Sequence, residues 1–262
     1  MPTPLELLLH PVSLIIIGSY LLLMLWETMF PARKLPPVKG WQLRCIVSFA
    51  VFFLLTGYLP ILLQPLLAPF RLVDASALGV GPGVIIGIIL FELAVYGWHW
   101  AIHKSDFLWR TVHQMHHSAE RVDTLGAFFL HPFDIIGLTV ISSICFAVIV
   151  GLPPQAITLV ILITNFLFIF EHTNIRTPHW LGYIIQRPES HSYHHAKGVH
   201  KNNYCDIPLI DMMFGTFYNP KDFEKEVGFY EGASARVVDM LLCRDISSGP
   251  ADENSGIRSE RA

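Results

Sequence analysis

The sequence predicts an all-α fold: a polytopic membrane protein of four to five transmembrane helices, arranged as two helical hairpins plus a central helix, under a cytoplasmic helical cap. Three observations carry this. Hydrophobic residues are 52% of the 262 and charged residues only 15%, against roughly 25% charged in soluble domains. Uncharged runs approaching or exceeding the roughly 20 residues that a bilayer demands recur along the chain. Twelve of the 13 histidines fall between residues 99 and 200, next to those runs.

Composition also excludes classes. A net charge of -3 and the lack of a basic stripe with interleaved aromatics argue against nucleic-acid binding. Cys45, Cys145, Cys205 and Cys243 are far apart, form no Cys-x-x-Cys, and read as free thiols with packing roles.

In chain order, Val12 to Trp26 is uncharged until Glu27 and reads as the first span. No Lys or Arg precedes it and no small-residue cleavage site follows, so a spanning helix is expected over a cleaved signal peptide. Pro31-Ala-Arg-Lys-Leu-Pro-Pro breaks the helix. Cys45 to Phe70 carries no charge, but Pro60, Pro65 and Pro69 predict an irregular last third, so the regular span is expected over Leu43 to Leu63. Gly79-Val-Gly-Pro-Gly signals a turn. A third run, Val84 to Ile102, contains Glu92 and ends on His99 and His103. Ile135 to Phe170 is too long for one helix and splits at Gly151-Leu-Pro-Pro-Gln. It predicts a helical hairpin, spanning or re-entrant, that returns to the side it left. Residues 1–246 are expected to form one integral membrane catalytic domain, and the Ser- and Gly-rich tail Ser247 to Ala262 to be disordered.

The basic residues set the orientation. Arg33, Lys34, Lys39 and Arg44 lie between the first two spans, and Lys104, Arg110 and Arg121 lie between the third and fourth. Ten more follow the fifth, and only Arg71 falls in a loop of the opposite set. Every histidine-rich segment is then expected on the cytoplasmic side.

Helical positions i and i+4 share a face, so His99 and His103 form a two-pronged grip on a spanning helix. His113, His116 and His117 supply i, i+3 and i+4 on a short helix for which Asp106 offers an N-cap. The spacing repeats at His191, His194 and His195, where Pro188 suits the first turn and Glu189 its positive end. A lone histidine is more often a satisfied core residue, but eight clustered rings at a membrane surface are costly unless a metal organises them. Eight ligands exceed one ion, so the cap is read as holding a histidine-rich di-metal site. Imidazole suits Fe, Zn, Cu and Ni alike, so the element stays open.

These motifs carry a resemblance. His-x-x-x-His and the two His-x-x-His-His clusters resemble the histidine boxes of the fatty acid hydroxylase and sterol desaturase superfamily, from about Phe91 to Tyr218. Leu130-His131-Pro132, Glu171-His172-Thr-Asn174, Pro188-Glu-Ser-His191, Asn203-Tyr204 and Asp211-Met-Met-Phe-Gly-Thr extend it. The resemblance implies two non-haem iron ions that activate O₂ to hydroxylate or desaturate a fatty acyl, sterol or related lipid drawn from the bilayer. It implies as metal ligands His99, His103, His113, His116, His117, His191, His194 and His195, with His172 as an additional one. Some members carry a further histidine where this chain has Arg176. The chain has no Gly-rich dinucleotide fingerprint and no haem-attachment motif, so electrons are expected from an external ferredoxin-, flavin- or cytochrome-type donor.

For His131 an outer role and a metal role stand level; His179 and His200 read as surface residues, and His10 lies in the N-terminal flank. Glu171, Glu189, Asp206 and Asp211 are candidates to receive the second ring N–H of ligand histidines. Trp98, Trp100, Trp109, Trp180 and Tyr183 read as interface aromatics. Two other classes compete: a zinc-dependent membrane hydrolase, although His-Glu-x-x-His is absent, and a non-enzymatic metal-binding membrane protein.

Overall fold

The computed structural model describes residues 1–249, and among them five helices are long and apolar enough to cross a membrane. We number the helices α1 (Pro11–Met29), α2 (Trp41–Leu67), α3 (Val80–Lys104), α4 (Gln114–His117), α5 (Pro132–Ser143), α6 (Pro154–Glu171), α7 (Pro188–His194) and α8 (Pro208–Phe214). A π turn, Ile144–Ile149, prolongs α5, so each arm of the α5–α6 hairpin has an apolar stretch of 18 residues. At about 1.5 Å per residue each is roughly 27 Å long, close to the hydrocarbon thickness of a bilayer.

Local chemistry sets the helix ends. The His10 ring accepts the Val12 N–H at 3.3 Å and Pro11 opens α1. The His131 ring does the same for α5, accepting from Phe133 at 3.1 Å ahead of Pro132. In α2 the outcome departs from the expected irregular last third, because the helix continues through Pro60 and Pro65. Each proline forfeits one amide donor, but unwinding the segment in an apolar surrounding would strand every amide in it.

The spans pack α2 on α5, α3 on α6 and α1 on α6. The α3–α6 contact is close because α3 offers glycine: a Cβ at Gly83 would lie 2.9 Å from the Ala156 Cβ, and one at Gly87 2.8 Å from a Val160 methyl. The outward faces of α1 to α3 expose large apolar side chains such as Leu22, Ile46 and Ile85, as a lipid-facing surface should. At one end of the bundle a two-residue parallel pairing, Val73 with Val150 and Asp74 with Gly151, joins the loop after α2 to the turn between α5 and α6.

At the other end, α4, α7, α8 and their connections form a cap over a core that includes Trp41, Trp109, Met115, Phe129 and Met240. Trp109 is therefore not an interface residue: it is 1% exposed, whereas Trp100, Trp180 and Tyr183 are exposed and Trp98 is half-buried against Gly137. Two carboxylates on spans tie the cap down. Glu27 Oε2 accepts the Thr124 and Asn174 N–H groups at 2.8 and 3.0 Å, and Glu92 Oε2 accepts that of Asp206 at 3.1 Å. The tail expected to be disordered lies, from residue 250 on, outside the described residues.

Candidate metal centre

The cap draws nine histidines into two groups, in each of which one nitrogen per ring lies within 4.8 Å of the others. His99, His103, His113, His117 and His194 form one, and His116, His172, His191 and His195 the other. Each group mixes early and late parts of the chain. The two touch, with the rings of His117 and His195 stacked at 4.2 Å.

Four elements deliver these rings. His99 and His103 occupy the last turns of α3. His113 ends a π turn, Trp109–His113, that runs into α4 with His116 and His117; such turns recur at functional sites because they offset the helical register. The expected Asp106 cap is instead Ser105, whose hydroxyl accepts the Leu108 N–H at 3.3 Å, with Asp106 one position inside. His172 follows α6, and α7 begins on Pro188 and carries His191 and His194, with His195 as its C-cap.

In the five-histidine group the outer ring nitrogens are fixed. His99 Nδ1 donates to the Tyr204 carbonyl at 2.8 Å, His103 Nδ1 to that of His200 at 2.8 Å, and His194 Nδ1 to that of Asn202 at 2.6 Å. His113 Nδ1 donates to Asp134 Oδ2 at 2.7 Å, and His117 Nδ1 lies 3.1 Å from His200 Nδ1. A carbonyl can only accept, so the neutral rings of His99, His103 and His194 carry their proton on Nδ1 and leave Nε2 bare. Those bare atoms converge: His99 Nε2 lies 3.0 Å from both His113 Nε2 and His194 Nε2, and His103 Nε2 is buried without a hydrogen-bond partner among the described residues. Lone pairs facing each other at this distance repel, and a bound cation turns that arrangement into an attractive one. The donor set therefore fits a metal ion.

The carbonyls come from an unusual loop. His200, Asn202 and Asn203 have φ of 43°, 69° and 54°, a region disfavoured for residues with a Cβ. The loop is clamped: the Asn203 amide donates to the Ser190 and Tyr218 carbonyls at 3.1 and 2.8 Å, and Asp211 accepts from the Tyr204 and Cys205 N–H groups at 2.9 and 3.2 Å. Strain held by surrounding bonds is a mark of functional sites.

In the four-histidine group His172 Nδ1 donates to the Phe168 carbonyl at 2.7 Å, leaving its Nε2 bare at 3.1 Å from His116 Nε2 and 3.0 Å from His191 Nε2. His191 Nδ1 faces the Gln186 amide at 2.9 Å and Glu171 Oε1 at 3.4 Å. The Nδ1 atoms of His116 and His195 are buried with no partner among the described residues. Burial, reinforced by neighbouring rings, holds His116, His117, His191, His194 and His195 well below the usual imidazole range and brings His172 down to about 4. Neutral rings are what a metal requires.

The candidate carboxylates divide. Glu171 reaches a clustered ring directly. Asp206 bonds to Glu171, and burial pushes its carboxyl up to about 7. Asp211 acts one step back, through the backbone of Tyr204 and Cys205. Glu189 touches none of the nine: it accepts from Thr177 at 2.9 and 2.8 Å and pairs with Arg187 at 3.1 Å. Asp134, on His113, was missed because it sits inside an apolar hairpin; its signal is its place three residues after His131 at the cap end of α5. His200, read as a surface residue, is half-buried between Trp109 and Phe229 and serves two rings. His131 joins neither group, His179 bonds to the Asn219 carbonyl at 3.1 Å, and Arg176 points outward to Asp222 at 2.9 Å.

A family model described as fatty acid hydroxylase matches residues 84–216, the stretch that contains all nine rings. The ornithine lipid hydroxylase OlsE of Rhizobium tropici is 28% identical over 142 residues, covering 52% of this chain and 42% of the relative. The sphingolipid C4-hydroxylase sur2 of Schizosaccharomyces pombe is 22% identical over 130 residues, covering 48% and 44%. The cholesterol 25-hydroxylase of Rattus norvegicus is 30% identical over 56 residues, covering 21% and 19%. The chain thus spans less than half the length of each of these relatives. No solved structure matches.

Proposed function

From the premise that this chain belongs to the fatty acid hydroxylase family, we propose that it is a multi-pass membrane oxidoreductase that hydroxylates or desaturates a lipid from the bilayer, using two iron ions and O₂. The observation that carries the reading is the convergence of nine mostly Nε2-bare imidazoles in two touching groups at one end of the spans. The named relatives act on ornithine lipid, sphingolipid and cholesterol, which supports a lipid substrate of the fatty acyl, sterol or related class.

His99, His103, His113, His117 and His194 would hold one ion and His116, His172, His191 and His195 the other. Bound iron supplies the one-electron redox chemistry that lets O₂ attack an unactivated C–H bond. The protein's own contribution is geometric and electrostatic. The carbonyls of Tyr204, His200 and Asn202 and the Asp134 carboxylate fix ring orientation and proton position. Burial keeps bulk water from the groups. The balance requires two electrons and two protons per O₂: hydroxylation places one oxygen atom in the lipid and releases one water, and desaturation releases two waters. A ferredoxin-, flavin- or cytochrome-type partner supplies the electrons. Basic residues concentrated in the histidine-side loops support a cytoplasmic cap.

Metal analysis of the purified protein tests this, together with mass spectrometry of lipids from cells with and without it. Two Fe per chain, O₂ consumption and a lipid gaining 16 or losing 2 mass units are expected. One redox-inactive Zn with a hydrolysed lipid would overturn the reading in favour of a hydrolase, and bound metal with no change in any lipid would favour a carrier.

A further inference from the structure

The segment that follows the clamped loop inverts the usual order of a protein surface. From Asn203 to Tyr218 the exposed residues are Leu209, Met212, Met213, Phe214, Gly215 and Tyr218, while both acids, Asp206 and Asp211, are buried. An element that met water would turn its charges outward. The next stretch of the cap does so: Lys221, Asp222, Lys225 and Glu226 are exposed and Phe223 is half-buried.

Contacts with α3 fix the depth of this segment. The Asp206 N–H reaches Glu92, the midpoint of α3, and the Phe214 ring stacks on that of Tyr96 at 4.7 Å. At a rise of about 1.5 Å per residue, Glu92 and Tyr96 lie roughly 10 and 5 Å to the bilayer side of His99, and Tyr96 lies about 6 Å from the helix midpoint. Half the hydrocarbon thickness is about 15 Å, so α8 sits below the headgroup level of a bilayer centred on α3. Tyr96 also belongs to an outward stripe of α3, one turn after Leu93 and one turn before Trp100, both exposed. The exposed face of α8 therefore continues a lipid-facing surface. Irregular backbone is tolerated at such depth only where the protein satisfies it. Here carboxylates do so: Asp211 accepts the Tyr204 and Cys205 N–H groups at 2.9 and 3.2 Å, and Glu92 that of Asp206 at 3.1 Å, while the Gln186 N–H donates to the Asp206 carbonyl at 2.8 Å. An acid in the middle of an apolar span thereby has a structural reason.

We propose that residues 204–214 form a re-entrant membrane element, with Leu209, Met213 and Phe214 against the acyl chains of the bilayer. The element depends on the spans alone and not on any oxidation at the histidine groups. It brings acyl chains beside the five-histidine group, since the carbonyl of Tyr204, where the element begins, accepts from His99.

Fluorescence quenching of bimane on single cysteines tests this in the full-length protein, reconstituted into phosphatidylcholine vesicles in which some lipids carry a nitroxide on the acyl chain. Cys45, Cys145 and Cys205 are buried, and Cys243→Ser removes the half-buried thiol. Labels go on Met213→Cys and Leu209→Cys, with Ile89→Cys on the outer face of α3 and Glu226→Cys in the cap as references, all four positions being exposed. The labels at Met213 and Leu209 should be quenched by the nitroxide to at least about half the extent of the one at Ile89, which the hydrocarbon core surrounds, and should resist aqueous iodide. The Glu226 label should respond to iodide alone. Iodide quenching at Met213 and Leu209 without nitroxide quenching would place α8 in water and overturn the proposal. Protection of both labels from both quenchers would overturn it as well, because a second copy or another protein would then cover the face.

Discussion

The five-histidine and four-histidine groups use the same side chain but are held differently. Each outer nitrogen of the first meets a defined partner, four of them backbone carbonyls or Asp134 and the fifth His200. In the second, among the described residues, only His172 and His191 are held from behind, and the Nδ1 atoms of His116 and His195 are buried with no hydrogen-bond partner. The first group is braced by the spanning helix α3 and the clamped loop at residues 200–204. The second hangs on cap elements and the end of α6. Bracing fixes tautomer and geometry before a metal arrives, so two ions bound as proposed would be held with unequal firmness.

The largest effect should come from removing a ring. His113→Ala and His191→Ala should each weaken metal in one group alone, lowering bound metal by up to one ion per chain, because each removes a ring from one donor set and leaves its buried partners without it, and should abolish lipid product. His10→Ala should keep both, since that ring only caps α1. Elemental analysis beside product assay checks this. Loss of both ions in either variant would break the idea of two separable groups.

Next come the braces. Asp134→Asn presents an amide N–H to His113 Nδ1 and so favours the wrong tautomer; metal affinity of the five-histidine group should drop about 10–100-fold. His200→Ala removes the partner of His117 but leaves the carbonyl that serves His103, so a drop near the lower end, about tenfold, is expected. Competition titration against a chelator indicator would read both, and an unchanged affinity in Asp134→Asn would count against the bracing argument.

A smaller effect separates the groups in time. Under a strong chelator the wild-type protein should release metal in two phases, the faster one from the four-histidine group. His191→Ala should eliminate the fast phase and Asp134→Asn should accelerate the slow one. A single phase in wild type would show that the groups exchange as one unit.

The mildest test is pH on metal-stripped protein. Folded His116, His117, His191, His194 and His195 sit well below the usual range and His172 at about 4, while unfolded imidazoles protonate near pH 6.5. The unfolded chain then binds more protons as pH falls, so stability is fully present above about pH 6.5 and is lost progressively below it. The thermal midpoint in detergent should fall between pH 7 and 5, and bound metal should blunt that fall.

The sequence by itself determined the ingredients. Long apolar runs set the five apolar helices, and the i, i+3, i+4 spacings put histidines at helix ends, because bilayer thickness and helical period act on nearby residues. It could not assign rings to groups. His116 and His117 are neighbours in sequence yet enter different groups, and His194 and His195 do the same, since consecutive positions on a helix point about 100° apart and different walls of the cap receive them. Nor could it reveal Asp134 behind His113, the helix persisting through Pro60 and Pro65, or the carbonyls of His200, Asn202 and Tyr204. A backbone carbonyl has no residue identity to read. Its role depends on which direction a packed loop turns it, and that was decided only by the tertiary structure.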